Sequence, residues 1–169
     1  MRTVLLPAVM FVAGIAVQTS VLTLLFPGGV HPDILLPAVI ILALLSDARR
    51  GAILGCAAGL LQDIVFAAPL GFFAFGKILA GVLAGMLARE VHKDLLLSPV
   101  LIVMVLTVLV ETATFLQRHL LFAGSPFFAS YLAAVVLPRM AAHALLTLLL
   151  YPLFYRLYKK ALLLADHET

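Results

Sequence analysis

The stretch Gly59-Leu60-Leu61-Gln62-Asp63-Ile64-Val65-Phe66-Ala67-Ala68-Pro69-Leu70-Gly71 decides the fold, because it sets one aspartate and a Pro/Gly turn among apolar side chains. Apolar helices on both sides of a tight turn describe a helical hairpin. Inside a bilayer an ionisable side chain is expensive and faces a partner or a wet cavity, so Asp63 is also the first clue to function.

The rest of the chain extends this pattern. Its 169 residues are 64% hydrophobic and 11% charged, with a mean hydropathy of +1.21, far more apolar side chain than a soluble domain of this size could cover. An all-α polytopic membrane protein is expected. A hydrocarbon core of ~30 Å takes roughly 20 helical residues, so the length admits about six spans in one integral membrane domain over residues 1–169. The apolar blocks are Thr3–Phe26, Asp33–Ser46, Gly51–Phe66, Leu70–Ala88, Ser98–Leu121 and Leu132–Tyr155, separated by Pro, Gly or charges. The second and third are short, as helices that end inside the protein or have snorkelling flanks are. A β-barrel would require polar and apolar residues to alternate, and Leu95–Val110 does not.

Lys and Arg set the orientation. Arg2, Arg49, Arg50, Arg89, Lys93, Arg156, Lys159 and Lys160 fall at the N-terminus, after even-numbered spans or at the C-terminus, while Arg118 and Arg139 alone lie near the odd-span loops. The positive-inside rule then predicts cytoplasmic termini, and the net charge of +3 reads as topology and anionic-lipid contact, not nucleic-acid binding. The first 26 residues resemble a signal peptide, but the apolar run shows no cleavage site and is read as an uncleaved span. Cys56 is the only cysteine, which excludes an internal disulfide. The tail Ala165–Thr169 is polar and expected to fray.

Gly51, Gly55 and Gly59 recur every four residues with Asp63 continuing the series, and Lys77, Gly81 and Gly85 do the same on the next block. Small residues at this spacing let two backbones approach closely, so the two stripes are expected to face each other. Between them Pro69 is expected to stop the incoming helix and Gly71 to permit a tight return. At 1.5 Å per residue, Asp63 lies about 6 Å and Lys77 about 10 Å from the turn, a depth at which they could pair. Glu111 and Arg139 fall at similar depth on the last two spans, which suggests a second pair, and His143 follows Arg139 on the same face. With Gln18, Asp33 and Arg118 these groups form a candidate polar cluster opening outward. Its alternatives are structural pairing, a partner-binding surface and a ligand pocket. His143 reads more simply as a helix-packing histidine than as a metal ligand or proton relay, and Asp33 and Arg118 as interfacial groups.

No catalytic, metal or cofactor motif is present: there is no Cys/His metal spacing, phosphate-binding glycine loop, HExxH or GxSxG. His31-Pro32-Asp33 reads as a turn with a helix-capping aspartate. Phe127, Phe128 and Tyr131, after Gly124-Ser125-Pro126, and Tyr151, Tyr155 and Tyr158 read as interfacial aromatic belts. Residues Ala123–Leu132 also suit a short surface helix or a docking site for an extracytoplasmic partner.

The strings His31-Pro32-Asp33-Ile34-Leu35-Leu36-Pro37, Arg50-Gly51-Ala52-Ile53-Leu54-Gly55, Gly59-Leu60-Leu61-Gln62-Asp63 and Pro69-Leu70-Gly71-Phe72-Phe73-Ala74, in that order, resemble the bacterial rod shape-determining protein MreD family over about Val30–Gly85. The resemblance implies a non-catalytic inner-membrane scaffold of the cell-elongation machinery. Members associate with MreC and work with MreB filaments, the RodA glycosyltransferase and its transpeptidase partner in lateral peptidoglycan synthesis. The family is similar in architecture to the substrate-binding S components of energy-coupling factor transporters, which keeps a ligand-binding function open. Lys77 departs from the family pattern, where an apolar or small residue is usual. On the transporter reading the first span would dock a coupling subunit, yet its Ala8, Ala13, Gly14 and Ala16 form no four-residue repeat. A proton-linked carrier would show an inverted repeat, and none is found.

Overall fold

The computed structural model describes residues 2–22, 32–91, 95–121 and 127–166, all of whose regular elements are helical. Helix α1 (Arg2–Val17) runs into a π-helical segment, Gln18–Leu22. It is followed by α2 (Leu35–Leu44), α3 (Ala48–Val65), α4 (Phe72–Leu87) and α5 (Leu97–Leu121). A short α6 (Phe128–Tyr131), a second π segment (Leu132–Val136) and α7 (Leu137–Asp166) form one continuous helical run. The tail is therefore helical as far as Asp166. The expected end of the first span at Phe26, the turn residue His31, the basic Lys93 and the loop Gly124-Ser125-Pro126 lie outside the described residues.

The centre of the bundle is α2. Nine of its ten residues are buried, from Leu35 through Leu44 with Leu42 excepted, because the segment is apolar on every side and can only be covered all round. At 1.5 Å per residue its ten residues span about 15 Å, half a hydrocarbon core. It contacts α1, α3, α4, α5 and α7. Leu36, Ile40, Ala43 and Leu44 join Val103, Leu106 and Val110 of α5 with Ala80 and Ala84 of α4. On another side Leu35 and Val39 pack with Phe11, Ile15 and Ala58. The third side places Ala38, Ile41 and Leu45 against Tyr151 and Phe154 of α7.

The glycine stripes face each other. Helices α3 and α4 make the most extensive contact in the structure, and a methyl added at Gly51 would overlap the Gly81 carbonyl, one at Gly55 the Lys77 carbonyl, and one at Gly59 the Ala74 Cα. Gly81 and Gly85 are equally closed, against Gly51 and Ala48. Backbone-to-backbone approach of this kind supplies packing where no hydrophobic drive exists between lipid-exposed helices. Asp47 starts the hairpin, its carboxylate accepting the Arg50 amide at 2.9 Å.

The turn at the other end differs from expectation. Helix α3 ends at Val65, before Pro69, through a Schellman cap: the Ala68 amide donates to the Asp63 carbonyl at 2.9 Å and the Ala67 amide to the Ile64 carbonyl at 3.3 Å. Ala67 occupies the left-handed position of this cap, at φ 49°, where glycine is usual. Pro69 lies beyond the stop and does not create it. Gly71, at φ 96°, then caps α4 as the sequence suggested.

Candidate functional site

Two ion pairs and one carboxylate cap occupy the interior between the helices. Asp63 is fully buried and does not pair with Lys77. Its Oδ2 accepts the Gly71 amide at 2.8 Å and its Oδ1 the Phe73 amide at 2.7 Å, both at the start of α4. The first amides of a helix have no partner within it and carry the positive end of its dipole, so a carboxylate there makes two charge-assisted bonds. This capture accounts for a buried Asp63 without any cation, and it corrects the expected Asp63–Lys77 contact.

Lys77 pairs with Asp33 instead. Its Nζ lies 2.5 Å from Asp33 Oδ2, bonds the Oε1 of Gln62, and sits 5.4 Å from the centroid of the Phe73 ring. The expected interfacial place of Asp33 is corrected by the same contact: its carboxylate is nearly buried, with Oδ1 accepting the Leu35 amide at 3.0 Å at the start of α2. The Asp33 amide donates to His143 Nε2 at 3.1 Å, and His143 Nδ1 meets the Thr107 hydroxyl at 3.0 Å. Through one residue α2 is thus tied to α4 and α7, and through His143 to α5.

The second pair lies between α5 and α7. One guanidinium nitrogen of Arg139 contacts both Glu111 oxygens, at 2.8 and 3.0 Å, and Tyr131 donates its hydroxyl to Glu111 Oε2 at 2.7 Å. Tyr131 is buried, its ring 5.1 Å from that of Phe115, so it belongs to the interior and not to a surface belt. Tyr151 is corrected in the same way, at 3% exposure within the α2–α7 core. Phe127, at 89%, is open. Arg118 is exposed over the Phe72 ring, outside the buried cluster.

Between the two ion pairs lies a cavity of about 170 Å³. Lys77 with Asp33 and Arg139 with Glu111 line it, together with Gln18, Gln62 and Thr114. The cavity thus joins five of the residues singled out in the sequence, Gln18, Asp33, Lys77, Glu111 and Arg139, while Asp63 and His143 do not line it. Gln62, Thr107 and Tyr131 were not identified as partners from sequence. Gln62 alone carried a signal, lying three residues after Gly59 on the face turned to α4. Among the described residues no group of three or more His, Cys, Asp or Glu could hold a metal ion.

Two helices, Leu97–Leu120 and Phe128–Lys159, are long and apolar enough to cross a membrane. With the apolar α2, covered on every side at nine of its ten residues, and the paired charges around it, fold and site define a helical membrane protein whose interior charges pair with one another. The family model described as rod shape-determining protein MreD matches residues 1–161, nearly the whole chain, and the chain belongs to the MreD family. The match extends well past Gly85, where the resemblance in the sequence strings ended. Comparisons with curated proteins and with solved structures find no match.

Proposed function

We propose that this protein is a non-catalytic scaffold of the bacterial inner membrane that binds MreC and supports lateral peptidoglycan synthesis in the cell-elongation complex. It acts there with RodA and its transpeptidase partner, and with MreB indirectly. The family match over residues 1–161 carries the reading. On this account the chain is one integral membrane domain of six spans with both termini cytoplasmic.

The interior supports a rigid framework. Asp63 is held by the backbone amides of α4, Lys77 by Asp33 and Gln62, and Glu111 by Arg139 and Tyr131. These bonds position helices; none of them sets a nucleophile beside a base. The glycine stripes are closed within the α3–α4 hairpin, so the transmembrane helix of MreC docks on another lipid-facing surface of the bundle, with the outer loops at its periplasmic base. Depletion of the protein in its native host tests the reading. Rods that round up, and recover with the wild-type gene, are expected; rods that keep their shape would count against it.

The cavity favours one other reading, a substrate-binding S component of an energy-coupling factor transporter, in which that cavity would be the substrate site.

A further inference from the structure

Gln18 stands out among the polar groups of the interior. It is 6% exposed, it lines the cavity, and its Oε1 has no hydrogen-bond partner among the described residues. A buried acceptor left unpaired carries its full desolvation penalty, and such groups are rare in folded proteins. Gln18 also opens the π-helical segment Gln18–Leu22. The second π segment, Leu132–Val136, lies between Tyr131 and Arg139, the two partners of Glu111 across the same cavity. π-helical turns inside α-helices are frequently found at functional sites, because the extra residue redirects side chains.

We propose that this cavity is a binding site for a small uncharged molecule carrying hydroxyl or amide donors, held through a hydrogen bond to Gln18 Oε1. Charge balance sets the class. The lining holds two cations and two anions, Lys77 paired with Asp33 and Arg139 with Glu111, so a charged ligand would leave one of these groups without its counter-ion. The unpaired group is an acceptor, so the ligand supplies the donor. Phe66 and Phe73 form an aromatic wall, their centroids 6.1 Å apart, against which the apolar side of the molecule would lie. Size limits it further. The space is roughly ten times what one water needs and below the ~300–1,000 Å³ of drug-sized sites, which suits molecules from a small amide or glycerol to a monosaccharide. The inference does not depend on which partner docks on the outside of the bundle.

Thiol protection tests it on the full chain in detergent micelles. In a Cys56→Ala background, Thr114→Cys places a reporter in the lining, with Val110→Cys as a second reporter should the first fail to fold; thermal unfolding verifies that each is native. Labelling by methyl methanethiosulfonate is followed with methyl β-glucopyranoside, propionamide or sodium acetate present. The reporter is expected to react, and one of the two uncharged probes to slow it several-fold while acetate does not. Gln18→Leu should keep the labelling and abolish the protection. A reporter inert in the native protein, protection by neither uncharged probe, protection equal with acetate, or protection that survives Gln18→Leu would each overturn the proposal.

Discussion

The backbone amide of Asp33 donates to Nε2 of His143, 110 residues further along the chain, at 3.1 Å. Because Nε2 accepts, the neutral ring carries its proton on Nδ1, which lies 3.0 Å from the Thr107 hydroxyl. His143 is fully buried, and its two nitrogens join the start of α2 to α5 and α7. Replacement by leucine would leave the Asp33 amide and the Thr107 hydroxyl unpaired, at about 1–3 kcal/mol for each group. His143→Leu should therefore lower the thermal unfolding midpoint in micelles, and His143→Gln, which keeps an acceptor, should lower it less. Equal midpoints for the two variants would remove the hydrogen-bonding role.

Lys77 answers Asp33, not Asp63. Removing one member of a buried pair costs about 3–5 kcal/mol, because the other charge is left without compensation. Lys77→Met and Asp33→Asn should each destabilise the protein strongly, and the double variant should lose much less than the sum of the two. The Asp63→Asn, Lys77→Met pair should show the smaller coupling in a denaturant or thermal double-mutant cycle. The reverse ranking would restore the pairing read from depth along the helices.

Glycines in the hairpin differ sharply from the glycine in α1. A methyl at Gly55 or Gly81 would overlap a backbone carbonyl of the facing helix, whereas one at Gly14 would meet only the Ile34 and Leu35 side chains at 3.8 and 3.9 Å. Gly55→Ala should cost about 1–3 kcal/mol or more through forced separation of α3 and α4. Gly14→Ala should be neutral or stabilising by about 0.5–1 kcal/mol, as glycine is a poor helix former. The monodisperse yield and thermal midpoint of the two variants would separate them.

Ala67 is the one described non-glycine residue with a left-handed backbone, at φ 49°. A side chain there costs roughly 1–2 kcal/mol relative to glycine's tolerance of the same conformation. Ala67→Gly should raise stability by about 1 kcal/mol after the entropy that glycine adds to the unfolded chain is deducted. Gly71→Ala should lower it for the same backbone reason, since nothing lies within 4 Å of the added methyl. Unfolding curves that move in the same direction for both would exclude this account of the turn.

Counting residues along a helix gives position along the helix axis. It brought Glu111 to Arg139 correctly, because both side chains lie on the facing sides of α5 and α7. It failed for Asp63 because depth contains no azimuth. Lys77 projects toward the start of α2, where Asp33 meets it, while the Schellman turn folds the beginning of α4 over Asp63. The facing glycine stripes were legible from their four-residue spacing alone. Aromatic side chains were not: Tyr131 and Tyr151 have the composition of a membrane belt, and only tertiary packing distinguishes an interior tyrosine from an interfacial one. The short second block was legible as unusual, and its cause is burial of α2 on every side. The cavity required Gln18, just past the end of α1, to meet residues of five later helices, a coincidence that no local pattern encodes.

The proposal stands or falls on whether this MreD-family bundle holds MreC in the cell-elongation complex. Purification of the tagged protein from its native host in mild detergent, with mass spectrometry of what accompanies it, tests this most directly. Recovery of MreC together with the elongation synthase is expected. Recovery of ATP-binding subunits and a coupling protein, with MreC absent, would contradict it and make the bundle a transporter subunit.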